Sequence, residues 1–199
     1  LKEEVEAAGL EISGIESVNI HDDIKIGLPT RDQYIENYIK TLENLGEEGI
    51  KMVCYNFMPV FDWTRTQLDK KAADGSTSLV MYWDQLKGLD PLTDDIDLPG
   101  WDASYTKEQV RELITAYGEL GEEGLWKNLE KFLKKIIPVA EECDVRMAIH
   151  PDDPPYPIFG IPRIITTEEN IDRFLALYDD VHHGLTLCSG RLGCAKFND

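Results

Sequence analysis

The chain is short of positive charge. Its 199 residues carry 20 Lys and Arg against 38 Asp and Glu, a formal net charge of −18 and a pI near 4.5. A surface this acidic repels phosphate backbones, so nucleic acid is excluded as a partner, and the charge reads as a solvated surface. No apolar run approaches the ~18 residues that a membrane helix needs. The start, Leu1-Lys-Glu-Glu-Val-Glu, has neither signal-peptide character nor an initiator methionine. Only four cysteines occur, Cys54, Cys143, Cys188 and Cys194, with no CxxC spacing. They read as free thiols in a reducing, cytoplasmic compartment, with Cys54, Cys143 and Cys194 packed in or near a core. No Gly-x-Gly-x-x-Gly, Walker or Gly-x-Ser-x-Gly motif is present, which removes the common dinucleotide, nucleotide and serine-hydrolase readings. There is no internal repeat and no low-complexity tract.

What remains is ordinary globular composition, 42% hydrophobic and 29% charged, and one domain over 1–199 is expected. Strand and helix signals alternate. Apolar strand runs are expected at 10–18, 50–56, 145–150 and 184–188. Residues 19–27 read as a polar loop. Capping patterns at Thr30-x-x-Gln33, Thr106-x-x-Gln109 and Thr166-x-x-Glu169 open helices. A further helix carries Leu125, Leu129, Phe132, Leu133, Ile136, Ile137 and Ala140. The stretch 67–104 is rich in turn signals, including Asp74-Gly75, and reads as an insertion or lid. Alternating strands and helices imply βαβ units and a parallel sheet.

Three of these strands end in groups with chemistry: Asn56, His150 and Cys188. In a (β/α)8 barrel such ends converge on one face, where active sites lie. His150 is followed by two carboxylates and five prolines before Arg163, so the chain must leave the sheet there. It is either a metal or substrate ligand or a satisfied polar residue at a corner. Cys188 is either a buried small apolar residue or, with His150, a ligand to a borderline-soft ion such as iron, zinc or manganese. Two ligands fall short of the three that a catalytic site normally has. The loop 57–66 gathers aromatics, an amide, a carboxylate and an arginine, as a sugar-acid pocket would. Asp152 and Asp153 are adjacent, so their side chains are expected to point apart.

Two long motifs then resemble one family. Tyr55-Asn-Phe-Met-Pro-Val-Phe-Asp-Trp-Thr-Arg-Thr66 and His150-Pro-Asp-Asp-Pro-Pro-Tyr-Pro-Ile-Phe-Gly-Ile-Pro-Arg-Ile164 look like the signatures of the mannonate dehydratases. Glu16-Ser17, His21-x-Asp23-Ile24-Lys25, Leu187-Cys188-Ser-Gly-x-x-Gly193 and Asn198-Asp199 support the likeness. The resemblance implies a xylose-isomerase-like TIM barrel. It implies dehydration of D-mannonate to 2-dehydro-3-deoxy-D-gluconate in glucuronate catabolism, with Fe²⁺ or Mn²⁺ and a homo-oligomeric assembly. In the family two histidines, a cysteine and an aspartate hold the metal; His150 matches one histidine and Cys188 the cysteine. Arg65 would pair with the substrate carboxylate, Asn56 would bond a hydroxyl and Trp63 would wall the pocket. No general base is assigned. Asp22 stands where the family usually has Glu, and Arg191 where it has a smaller residue. A full barrel takes about 250 residues, so the chain reads as an internal piece with about four βα units. The alternatives are an inactive fragment or non-catalytic remnant of that enzyme, and a sugar isomerase of the same barrel class.

Overall fold

The computed structural model describes residues 1–61, 65–90, 93–94 and 105–198. In chain order the elements are α1 (Lys2–Ala7), β1 (Ile15–Glu16), α2 (Asp22–Ile26), α3 (Arg31–Glu47), β2 (Met52–Tyr55), β3 (Gln67–Lys71), β4 (Thr77–Val80), α4 (Trp83–Leu86), α5 (Lys107–Glu142), β5 (Arg146–Ile149), α6 (Glu168–Leu175), β6 (His183–Leu185) and α7 (Ser189–Leu192). Strands β1, β2, β5 and β6 form one sheet in that order, every pair parallel. Parallel neighbours need crossover connections, and helices supply them. The chain is therefore α/β, with four sequential parallel strands arranged as consecutive units of a partial (β/α)8 barrel are.

Register divides the sheet into two faces. Val53 aligns with Met147, and Tyr55 with Ile149. All four are buried, in one cluster with Leu125, Leu129, Phe132, Leu133 and Ile136 of α5. The ring of Tyr55 lies 6.4 Å from that of Phe132, and Tyr38 of α3 meets Phe132 edge-on at 5.1 Å. The alternate row, Cys54, Ala148 and Gly184, is small and only half-buried. Helices cover one face; the other is small at Cys54, Ala148 and Gly184 and carries the exposed Met52 and Arg146 at the strand starts.

Several local expectations meet a different outcome. The first strand shrinks to Ile15–Glu16 and the last, expected over 184–188, to His183–Leu185, which leaves Cys188 three residues beyond the strand; both are edge strands with a partner on one side only. Residues 19–27 are not all loop. His21 caps α2, its Nδ1 accepting from the Asp23 N–H at 3.2 Å, Ile24 is buried, and Gly27 closes the turn at φ 86°. Five residues are too few for a periodic signal. Helix α3 starts where expected, but the Thr30 hydroxyl donates to Asp23 Oδ2 and makes no cap bond. The Thr106–Gln109 box forms in both directions, at 3.2 and 2.9 Å. At α6 the cap moves by one residue: Thr167 accepts from the Asn170 N–H. Gly121, at φ 66° and ψ 178°, breaks α5 into the two helices that the sequence suggests.

Within 67–104, β3 and β4 pair as an antiparallel hairpin around Asp74-Gly75. Asp74 Oδ1 accepts from both the backbone and the hydroxyl of Ser76, at 3.0 and 2.7 Å. The polar run Gln67-Leu-Asp-Lys-Lys carries no apolar alternation that would mark a strand; pairing with β4 makes it one.

Candidate functional site

The ends of the central strands are level. The His150 N–H donates to the Tyr55 carbonyl at 2.7 Å, and the Thr186 N–H to the Ile149 carbonyl at 2.8 Å. Asn56, His150 and the residues leading to Cys188 therefore leave the sheet at one end. His150 is half-buried, and its Nδ1 lies 2.7 Å from the Pro151 carbonyl oxygen. A carbonyl only accepts, so Nδ1 donates, and in a neutral ring the lone pair is then on Nε2. That is the arrangement in which an imidazole ligates a metal through Nε2. Cys188, also half-buried, precedes α7; its carbonyl accepts from the Arg191 and Leu192 N–H groups at 3.1 Å each.

An imidazole at the end of β5 and a thiol in the segment that follows β6 are donors that suit a borderline divalent ion. Among the described residues no group of three or more His, Cys, Asp or Glu side chains is placed to hold one. The pair fits as part of a ligand set.

The loop after His150 is held from both sides. Asp152 turns inward, fully buried, and its Oδ2 accepts from the N–H groups of Ile164 and Ile165 at 2.7 and 3.1 Å. Burial pushes its carboxyl above the ordinary value, against the opposing pull of Arg163 and of those two N–H donors. Asp153 turns the other way. Its Oδ2 accepts from both terminal nitrogens of Arg65 at 3.2 Å and from Arg191 Nη2 at 2.9 Å. The two carboxylates do point apart, and each has its own partners.

Arg65, 8% exposed, thus sits beside the His150 loop with its fork directed at Asp153. Asn56 Oδ1 accepts from the Met58 N–H at 3.2 Å. Trp63 lies outside the described residues. A cleft of about 810 Å³ opens beside Asn56, lined by His21, Asp22, Tyr38, Met58 and Tyr105 among others. His150, Cys188 and Arg65 are not on its wall, so Asn56 alone of these four borders it. Asp22 accepts from the hydroxyls of Tyr105 and Tyr117 at 2.8 and 2.6 Å, anchoring α2 to α5. All four cysteines are free thiols: Cys54 and Cys143 are half-buried as near-core packing requires, whereas Cys194 is exposed. Burial raises the Cys54 thiol, whose Sγ lies 3.3 Å from Thr186 Oγ1.

Sequence reasoning missed Asp153 as the meeting point of Arg65 and Arg191. Those contacts span 88 and 38 residues, and no local pattern announces them.

Comparison with known proteins bears on the same motifs. The family model described as D-mannonate dehydratase (UxuA) matches residues 1–199. The mannonate dehydratase of Streptococcus agalactiae serotype Ia is 58% identical over 199 residues, all of this chain and 57% of the relative. Mannonate dehydratase 2 of Halalkalibacterium halodurans is 53% identical, with 58% of its length covered. The crystal structure of mannonate dehydratase from Streptococcus suis serotype 2 superposes with a TM-score of 0.89 at 51% identity, over 100% of this chain and 53% of that one. The chain thus spans little more than half the length of the curated relatives it matches. With the motifs around Asn56, His150 and Cys188 inside a match from end to end, the chain belongs to the D-mannonate dehydratase (UxuA) family.

Proposed function

We propose that the chain carries part of the active site of a metal-dependent hydro-lyase. The reaction is dehydration of D-mannonate to 2-dehydro-3-deoxy-D-gluconate, a step of glucuronate catabolism. The observation that carries this is the family match over all 199 residues, with His150 at the end of β5 and Cys188 three residues beyond the end of the neighbouring β6. His150, through Nε2, and Cys188, as thiolate, would hold Fe²⁺ or Mn²⁺. When bound, such an ion supplies a Lewis acid for charge building on substrate oxygens. The elimination removes the C2 proton, weakly acidic beside a carboxylate, and expels the C3 hydroxyl as water. The enol so formed tautomerises to the keto acid. Arg65 would orient the substrate carboxylate, for which a guanidinium fork is shaped, by exchanging a bond that it makes here to Asp153. Asn56 bonds a hydroxyl, and Trp63 supplies an apolar wall.

No helix among the described residues is long and apolar enough to cross a membrane. The family resemblance is what supports a cytoplasmic enzyme acting on a small sugar acid as a homo-oligomer. Cys188 argues against a sugar isomerase of the same barrel class, whose ligands are typically carboxylates and histidines. A second reading is that these 199 residues do not turn over alone. Its support is that the described residues place fewer than three metal-ligating side chains together.

The test is keto-acid formation from D-mannonate with Mn²⁺, with and without a chelator, by this chain and by a longer chain that contains it. Chelator-sensitive turnover lost in His150→Ala and Cys188→Ala is expected of the longer chain. Turnover that ignores the chelator would overturn the metal assignment, and none in either chain would overturn the activity. Turnover by the short chain would dismiss the second reading.

A further inference from the structure

We propose that Arg191 is a positioning residue that holds Cys188 in place relative to His150 by its ion pair with Asp153. The inference rests on the assignment of His150 and Cys188 to one site. Asp153 lies three residues after His150, and Arg191 three residues after Cys188. Arg191 Nη2 meets Asp153 Oδ2 at 2.9 Å, so the two segments leaving adjacent strands are stapled at equal distance from the two ligands. Asp153 is a firm anchor. It is only 3% exposed, its carboxylate also accepts from Arg65, and its N–H points at Met58 Sδ at 3.1 Å. At the other end the Arg191 N–H donates to the Cys188 carbonyl at 3.1 Å, so one tight turn carries the restraint back to the thiol. A half-buried pair with a fixed partner loses less to solvent and side-chain entropy than an exposed one. The far end of the segment has separate ties. The Tyr156 hydroxyl donates to the Cys194 carbonyl at 3.4 Å, and the Asn198 amide to the Thr166 carbonyl at 2.9 Å.

The experiment uses the 199-residue chain as wild type, Arg191→Ala, Arg191→Lys, Cys188→Ala and, as control, Tyr156→Phe. Amide hydrogen exchange without metal is read by mass spectrometry. Residues 188–191 should exchange several-fold faster in Arg191→Ala, with Lys recovering much of the protection. In Tyr156→Phe any change should be confined to 194–198. Unchanged exchange at 188–191 in Arg191→Ala would overturn the proposal. The second readout is Co²⁺ titration followed by the thiolate charge-transfer band. Arg191→Ala should weaken Co²⁺ binding about tenfold, the usual effect of losing an outer-shell partner, and Lys should restore it. A band and affinity unchanged in Arg191→Ala but lost in Cys188→Ala would overturn the proposal while leaving the site standing. A wild-type chain with no Cys188-dependent band would agree with the second reading, an incomplete ligand set in these 199 residues, and the exchange result would then decide on Arg191 by itself.

Discussion

Asp152 and Asp153 share a sequence environment and part company in the fold. Asp152 spends its carboxylate on two backbone N–H groups of the returning loop. In Asp152→Ala both donors would be left buried without an acceptor, at a cost on the order of 2–4 kcal/mol. A lower midpoint in urea unfolding, with an unchanged slope, is the expected result. His183 offers a pH-dependent counterpart. Its Nε2 lies 2.9 Å from the Phe174 carbonyl, and Nδ1 is buried with no hydrogen-bond partner. Burial holds its pKa below the ordinary value, more strongly than the Phe174 bond and Asp180 pull it up. The unfolded chain therefore takes up this proton first as pH falls. Stability associated with His183 is complete above about pH 6.5 and is lost progressively as pH falls from there toward the lowered folded-state value. Urea titrations across that range should show a shallower pH slope in His183→Gln than in wild type, by at most about 1.4 kcal/mol per pH unit. Equal slopes would mean that the imidazole is solvated in the folded chain. Neither role was legible beforehand, since both depend on which groups face a side chain across the loop or sheet.

Elements were more readable than their edges. The apolar stripes of α3 and of both halves of α5, and the alternation with β2 and β5, reflect side-chain periodicity that survives into the fold. Helix α2 and the β3–β4 hairpin did not announce themselves. One is a single turn made by a histidine cap and a glycine; the other has polar strands that exist through mutual pairing. The break in α5 is a backbone property of one residue. Gly121 adopts a combination of φ and ψ that is almost confined to glycine, and a Cβ there would meet open space. Gly121→Ala should therefore cost about 1–3 kcal/mol through strain alone. Loss of stability with unchanged helix content by circular dichroism is expected; no loss would show that the two halves can straighten into one helix.

At the scale of the molecule, a net charge of −18 sits on 199 residues. Self-repulsion at this density opposes the folded state and is screened by salt. The thermal midpoint should rise between low and high ionic strength at constant pH. A flat or falling midpoint would indicate that paired charges such as Lys51–Asp144 and Arg173–Glu123 outweigh the repulsion.

The sequence by itself determined the α/β class, most of the helices, the family, and the strand-end positions of Asn56 and His150. Those features are written in local pattern: periodicity, caps, and motifs whose residues are contiguous. Tertiary structure decided the pairing of Arg65 and Arg191 with Asp153, the inward turn of Asp152 and the anchoring of Asp22 between Tyr105 and Tyr117. Each of these depends on where a carboxylate or carbonyl comes to rest once the parallel strands have set the loops beside one another. A polar side chain can find its partner equally well one residue away or ninety, and only the folded geometry chooses.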